Sequence, residues 1–228
     1  MKILAIDTAL DACSAAVYDS AENRVLAMLS HDMRRGHAEA LIPTISDVMK
    51  AAQLEYEALD RIATTVGPGS YTGLRVGISA ARAIGFAASK PVLGITTLAA
   101  FTAPLIAENG NVPAVAVIDA RHGNIYFHMV GAGNRVLLSP RHASLEDATQ
   151  VIVGGPVRLV GPGAQLLSER WPRNAPHLPI SVDTRAAPNV EWVARLAAEA
   201  DAVRSPAKPL YLRAPDVTPQ DSHRIERQ

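Results

Sequence analysis

Residues 66–73 read Val-Gly-Pro-Gly-Ser-Tyr-Thr-Gly, between an apolar run and a helical one. A strand, a glycine-rich turn and a helix start can together hold an anion. The first helical N–H groups have no partner in the helix, and the helix dipole favours negative charge. Ser70 or Thr72 would cap that helix. Two well-defined forms of such a loop are absent. A P-loop needs lysine after its last glycine, and Leu74 follows Gly73. The dinucleotide fingerprint needs its third glycine one residue earlier. Gly67, Gly69, Ser70 and Thr72 are therefore candidate anion ligands, with a plain structural turn as the first reading.

Other reactive side chains are sparse. Cys13 is the one cysteine, so no internal disulfide can form. On a strand it reads as a small core residue. His31 and His37 are six apart, as are His122 and His128, so neither pair shares a helix face as in His-x-x-x-His. No Gly-x-Ser-x-Gly elbow occurs. No catalytic residue and no metal ligand is nominated.

Across 228 residues the net charge is zero, which argues against a chain that grips nucleic acid alone. Hydrophobic residues make up 48 %, enough for a real core, but aromatics only 4 %, so Ala, Val, Leu and Ile must build it. Asp7 and Asp11 interrupt the apolar N-terminus and make it a poor signal peptide. The most apolar helix, 73–89, is too short to span a bilayer and carries Arg75 and Arg82. The expectation is a soluble cytoplasmic protein with no membrane contact.

The elements that must position these residues come in two sets. Apolar runs at 2–7, 13–18 and 24–29 read as a three-strand meander. Runs at 113–119, 124–130 and 135–140 read as another. Ile6-Asp7 recurs as Ile118-Asp119, and Asn23-Arg24-Val25-Leu26 as Asn134-Arg135-Val136-Leu137. In the same order, these matches suggest duplication. Helices at 38–53, 73–89 and 97–108 alternate with strands at 61–66 and 91–96, which implies parallel strands with crossovers. The second half is sparser: a helix near 144–150, a strand near 157–160 and a helix near 189–201. Pro43 should kink its helix or mark the true start. The reading is an α/β protein of two duplicated βββαβα lobes, 1–110 and 111–228, with the tail from 205 fraying. That pattern resembles the actin-like ATPase (ASKHA, ribonuclease H-like) fold. There, an acidic residue ends the first strand near metal and phosphate. Asp7, with Thr8 beside it, holds that position, and Asp119 is its counterpart. The hairpin after Asp7 lacks the glycine that such ATPases use to wrap phosphate.

The helix after the loop has its own pattern. Gly73, Gly77, Ala81 and Gly85 recur every four residues. Gly77 and Gly85 together cost about 2 kcal/mol relative to alanine, so a close approach must offset them. Leu74 and Ile78 make the helix apolar nearly all round, which requires cover on two sides. On the preceding helix, Leu41 and Ile45 lie on an apolar stripe.

The blocks ILAIDT (3–8), GHAEALIP (36–43), VGPGSYTGLRVG (66–77), GITTLAA (94–100), IDAR (118–121) and YLRAPD (211–216) resemble the TsaB (YeaZ) family. The resemblance spans nearly the whole chain in order, and VGPGSYTGLRVG is its specific part. Departures are Ala9 where the family commonly has Ser, Ala38 for the Ser of His-Ser-Glu, and His122-Gly-Asn-Ile-Tyr126 after Asp-Ala-Arg. The resemblance implies a non-catalytic subunit of the machinery that installs threonylcarbamoyl on the adenosine beside the tRNA anticodon. It implies a heterodimer with the catalytic paralogue TsaD, with TsaE joining through that pair, and a homodimer when alone. It implies that tRNA is met only indirectly, and that there is no intrinsic cofactor beyond ATP or ADP at the joint with TsaD. On this reading Leu41, Ile45, Gly73, Leu74, Gly77, Ile78, Ala81 and Gly85 form the partner surface. Asp7, Thr8, Gly67, Gly69, Ser70, Thr72 and Asp119 form an anion or nucleotide site. The alternative is an ATP-binding phosphotransferase of the actin-like class.

Overall fold

The computed structural model describes residues 1–152 and 154–213. Strands β1 (Lys2–Asp7), β2 (Ala12–Asp19) and β3 (Arg24–Asp32) form the meander. Helix α1 (His37–Ala51), β4 (Arg61–Thr65), α2 (Tyr71–Ala88), β5 (Val92–Ile95) and α3 (Thr97–Glu108) follow. The first sheet has the order β3-β2-β1-β4-β5, antiparallel over β1–β3 and parallel from β1 to β5.

The pattern then repeats. Strands β6 (Ala114–Arg121), β7 (Asn124–Val130) and β8 (Val136–Ser144) form a second meander, and α4 (Leu145–Ile152), β9 (Arg158–Val160), α5 (Ala164–Glu169) and β10 (Ser181–Asp183) follow. The second sheet runs β10-β9-β6-β7-β8, the same strand order as the first. This is the duplicated mixed α/β architecture expected from the sequence. Helix α6 (Val190–Glu199) closes the series.

Strand periodicity decides which layer lies where. On β1, Leu4 and Ile6 face α1 and α2, while Ile3 and Ala5 face α6. Helix α6, placed by sequence with the second half, thus covers the first sheet. On β6, Val115 and Val117 pack under α4 and α5, and Ala116 and Ile118 pack against Leu98 and Phe101 of α3. Helix α3 therefore lies between the lobes. Each fully buried Ile or Leu contributes roughly 1.5–3 kcal/mol.

Three expectations need correction. Pro43 does not start α1; the helix begins at His37, and Pro43 sits exposed inside it. Residues 205–213 do not fray, because Gly94 N–H donates to Ser205 O, Leu210 N–H donates to Val66 O, and Pro206 bridges to Leu93. The rest of the tail, with Ala214–Asp216 of the last family block, lies outside the described residues. The third correction concerns α2. Leu41, Ile45, Leu74, Ile78 and Ala81 are at most 4 % exposed, and Gly73, Gly77 and Gly85 are buried too. A Cβ on Gly77 would lie 2.5 Å from Thr8 Oγ1, and one on Gly85 would strike Val92. The small-residue stripe faces inward, so the nominated partner surface is core.

Candidate functional site

Two turns shape the middle of the molecule. Gly67 has φ +113°, a backbone that side chains rarely adopt, and its peptide to Pro68 is cis. Gly69 and Gly73 lie against the β1–β2 hairpin; a Cβ on either would enter the Ala9 or Thr8 carbonyl oxygen. Ser70 N–H donates to Ala9 O at 2.7 Å, and Thr8 Oγ1 donates to Gly73 O at 2.7 Å. Ser70 also caps α2, accepting from Gly73 N–H at 3.3 Å. Thr72 is exposed and is not the cap. The concave side of the loop is thus filled by the chain's own hairpin. His37 ties α1 to this hairpin, its Nε2 donating to Leu10 O at 2.9 Å.

The second turn, Val160-Gly161-Pro162-Gly163, repeats Val66-Gly67-Pro68-Gly69 letter for letter, 94 residues on. Gly161 has φ +110°, and a Cβ there would lie 2.5 Å from Val117 O. Gly163 N–H donates to Val117 O at 3.0 Å. This repeat is the strongest internal sign of duplication, and the sequence reading passed over it.

Asp7 and Asp119 end the two central strands alike and then part. Asp7 Oδ1 accepts from Ala9 N–H at 3.1 Å and from Thr65 Oγ1 at 2.6 Å. Asp119 Oδ1 accepts from Arg121 N–H at 2.7 Å. But Asp7 is fully buried and its Oδ2 has no partner, whereas Asp119 is exposed. Burial pushes the Asp7 carboxyl up to about 6, against the lowering by Thr65, Ala9 and the His37 charge.

A cleft of about 380 Å³ opens between the lobes where these strands end. The nominated Gly69, Ser70 and Asp119 line it, with Leu10, Asp11, Arg121 and Tyr126. The other four nominated residues do not: Asp7, Thr8 and Gly67 are buried, and Thr72 is exposed outside the cleft. Arg121 and Tyr126 were not singled out, although Ile118-Asp-Ala-Arg121 was a visible block. The cleft joins two carboxylates, a guanidinium, a phenol and a hydroxyl, which suits a polar ligand with both charge signs.

Cys13 and His128 are core residues. Burial raises the Cys13 thiol and lowers His128, whose Nδ1 donates to Leu138 O at 2.8 Å. Among the described residues no three His, Cys, Asp or Glu side chains converge as metal ligands do.

The comparisons bear on this geometry. Residues 26–159 match the TsaD family, described as tRNA N6-adenosine threonylcarbamoyltransferase. The solved structure of YeaZ from Pseudomonas aeruginosa superposes with a TM-score of 0.77 at 28 % identity, covering 92 % of this chain and 99 % of that one. Escherichia coli (strain K12) has a tRNA threonylcarbamoyladenosine biosynthesis protein, TsaB, 34 % identical over 56 % of this chain and 54 % of its own length. The chain belongs to the TsaB (YeaZ) family. It spans about half the length of the curated TsaB relatives it matches. An uncharacterized protein of Mycobacterium tuberculosis (strain ATCC 25618 / H37Rv) aligns more fully, 31 % identical over 95 % of this chain and 94 % of its own. The matched stretch for TsaD includes the loop at 66–73 and the strand end at Asp119. In this TsaB-family chain the loop is packed against its own hairpin. No helix of the described residues is long and apolar enough to cross a membrane.

Proposed function

We propose that this chain is a catalytically degenerate, required subunit of the cytoplasmic machinery that attaches threonylcarbamoyl to the adenosine beside the tRNA anticodon. Its role is to bind and support a TsaD-type transferase. The observation that carries this reading is the filled loop. Gly69 and Gly73 seat the Thr8–Ala9 backbone where a phosphate-binding loop would leave room. Membership of the TsaB family supports it. With the glycine stripe in the core, the partner surface moves to the outer faces of α1 and α2. Ile42 is 57 % exposed there and Phe86 90 %. Beside Phe86, an apolar groove of about 330 Å³ is lined by Tyr56, Ala83, Ile84 and Ala87. Exposed apolar area of this kind marks association surfaces. The same surface would hold two copies together when TsaD is absent, and TsaE would join the heterodimer.

Light scattering on a size-exclusion column tests this, with the chain alone and mixed with TsaD from the same source. A one-to-one complex that replaces any homodimer is expected. A chain that ignores TsaD contradicts the proposal.

One observation favours a second reading, a nucleotide-binding phosphotransferase. The interlobe cleft offers Asp119, Arg121 and Ser70. Calorimetry with Mg-ATP separates the cases. Binding by the isolated chain favours the enzyme. Binding only in the mixture with TsaD places ATP or ADP at the joint.

A further inference from the structure

The interlobe cleft has one wall from each lobe: Leu10, Asp11 and Ser70 from the first, Asp119, Arg121 and Tyr126 from the second. None of them lies in the groove beside Phe86 that is given to partners. The second wall is an irregular hairpin. The β6–β7 register shifts between Asp119 and Arg121, a bulge at Ala120. Arg121 and His122 then take φ +65° and +53°, left-handed values uncommon outside glycine. Arg121 N–H donates to Asp119 Oδ1 at 2.7 Å, and Asn124 Nδ2 donates to His122 O at 3.1 Å, which holds the turn. Bulges re-aim side chains, and this one delivers Asp119 and Arg121 to the same cleft.

The charges on the walls can be paired off. Asp11 is committed to Arg34, at 3.2 Å. The Arg121 guanidinium has no hydrogen bond or ion pair with a described residue. Asp119 spends one oxygen on Arg121 N–H and keeps Oδ2 free. One anion and one cation therefore remain. Beside them Ser70 Oγ accepts from Gly73 N–H and so keeps its own proton to donate. Tyr126 sets its ring against His142, with centroids 5.4 Å apart, and Leu10 and Ile118 supply apolar surface. A nucleoside polyphosphate would bring several negative charges to a single free cation. Two turn N–H groups that might have helped are used within the chain, Ser70 N–H on Ala9 O and Gly163 N–H on Val117 O. A zwitterion brings one charge of each sign and leaves neither wall unpaired.

We propose that the interlobe cleft binds a free α-amino acid with a short hydroxylated side chain. Arg121 takes its carboxylate and Asp119 its ammonium, and Ser70 and Tyr126 meet the hydroxyl. The inference goes beyond the subunit role and does not depend on it. It gives the cleft to a ligand other than the nucleotide of the second reading.

Heteronuclear NMR of the full chain, titrated with L-threonine to ~10 mM, tests it. Shifts should gather at Ser70, Asp119, Arg121 and Tyr126. Isopropanolamine is threonine without its carboxylate, and β-hydroxybutyrate is threonine without its ammonium. Each should bind about ten-fold or more weakly than threonine, because a hydrogen bond to a charged group contributes about that much. Arg121→Gln and Asp119→Asn should each lose a similar factor, with spectra otherwise like the parent's, since both side chains are exposed. No shift at that concentration, shifts away from the cleft, an analogue that binds as well as threonine, or unchanged affinity in either variant would overturn the proposal. So would displacement of threonine by micromolar Mg-ATP, which would give the cleft to the nucleotide. A chain that binds threonine but ignores TsaD sinks the subunit reading alone.

Discussion

The two Val-Gly-Pro-Gly turns are one device put to unequal use. Both start from glycine at φ near +110°, and both press on the end of a central strand. The first launches α2, 18 residues long; the second launches α5, with six. The long helix needs a glycine row to lie flush on the hairpin, and Asp7 is sealed beneath it. The short one leaves Asp119 open to the cleft and Leu178, Ile180 and Val182 uncovered beside it. In one lobe close packing seals the strand-end carboxylate; in the other that carboxylate opens into the cleft the two lobes share. A glycine-rich loop therefore reports backbone proximity; what approaches, ligand or chain, is set by the neighbouring hairpin.

Substitutions can break this comparison. Gly73→Ala drives a methyl into the Thr8 carbonyl, backbone that cannot swing aside as a side chain does, and should cost about 3 kcal/mol or more in chemical denaturation. Asp7 should show next, through pH. Its carboxyl is raised to about 6 from 3.8. Between those values the native state holds a proton that the unfolded chain has released. Stability should therefore fall as pH rises through this window, by about 2–3 kcal/mol, and level off above it. Asp7→Asn should flatten that limb of the profile. Gly163→Ala meets Asp119 N and Val117 Cγ1 at 2.9 Å and should cost only about 1–2 kcal/mol. If it costs as much as Gly73→Ala, the lobes are equally closed and the contrast fails. Val182→Thr, on the open side, should change stability by about 0.5 kcal/mol or less.

Much of the fold was legible. The strands of both meanders and the helices of the first lobe fall within a few residues of their sequence positions, because alternating and 3.6-residue apolar patterns were long and capped. Thr96 and Asn189 cap α3 and α6 through their side chains. Helix α5 and strand β10 were not legible, since six and three residues carry too little periodicity. The orientation of α2 was misread for a physical reason. A helix apolar on most sides has no clear hydrophobic direction, and a glycine row marks a close neighbour without naming it. The cleft was half legible. Asp119, Gly69 and Ser70 follow from strand ends and turn, but Arg121 and Tyr126 join them only once the second hairpin is folded.

The central claim is that partners use the outer face of α2 because the inner face is occupied. The direct test is size-exclusion light scattering of Ala83→Glu/Phe86→Glu mixed with TsaD from the same source. The account predicts a variant as stable as the parent that elutes apart from TsaD. A folded variant that still forms the one-to-one complex would contradict it.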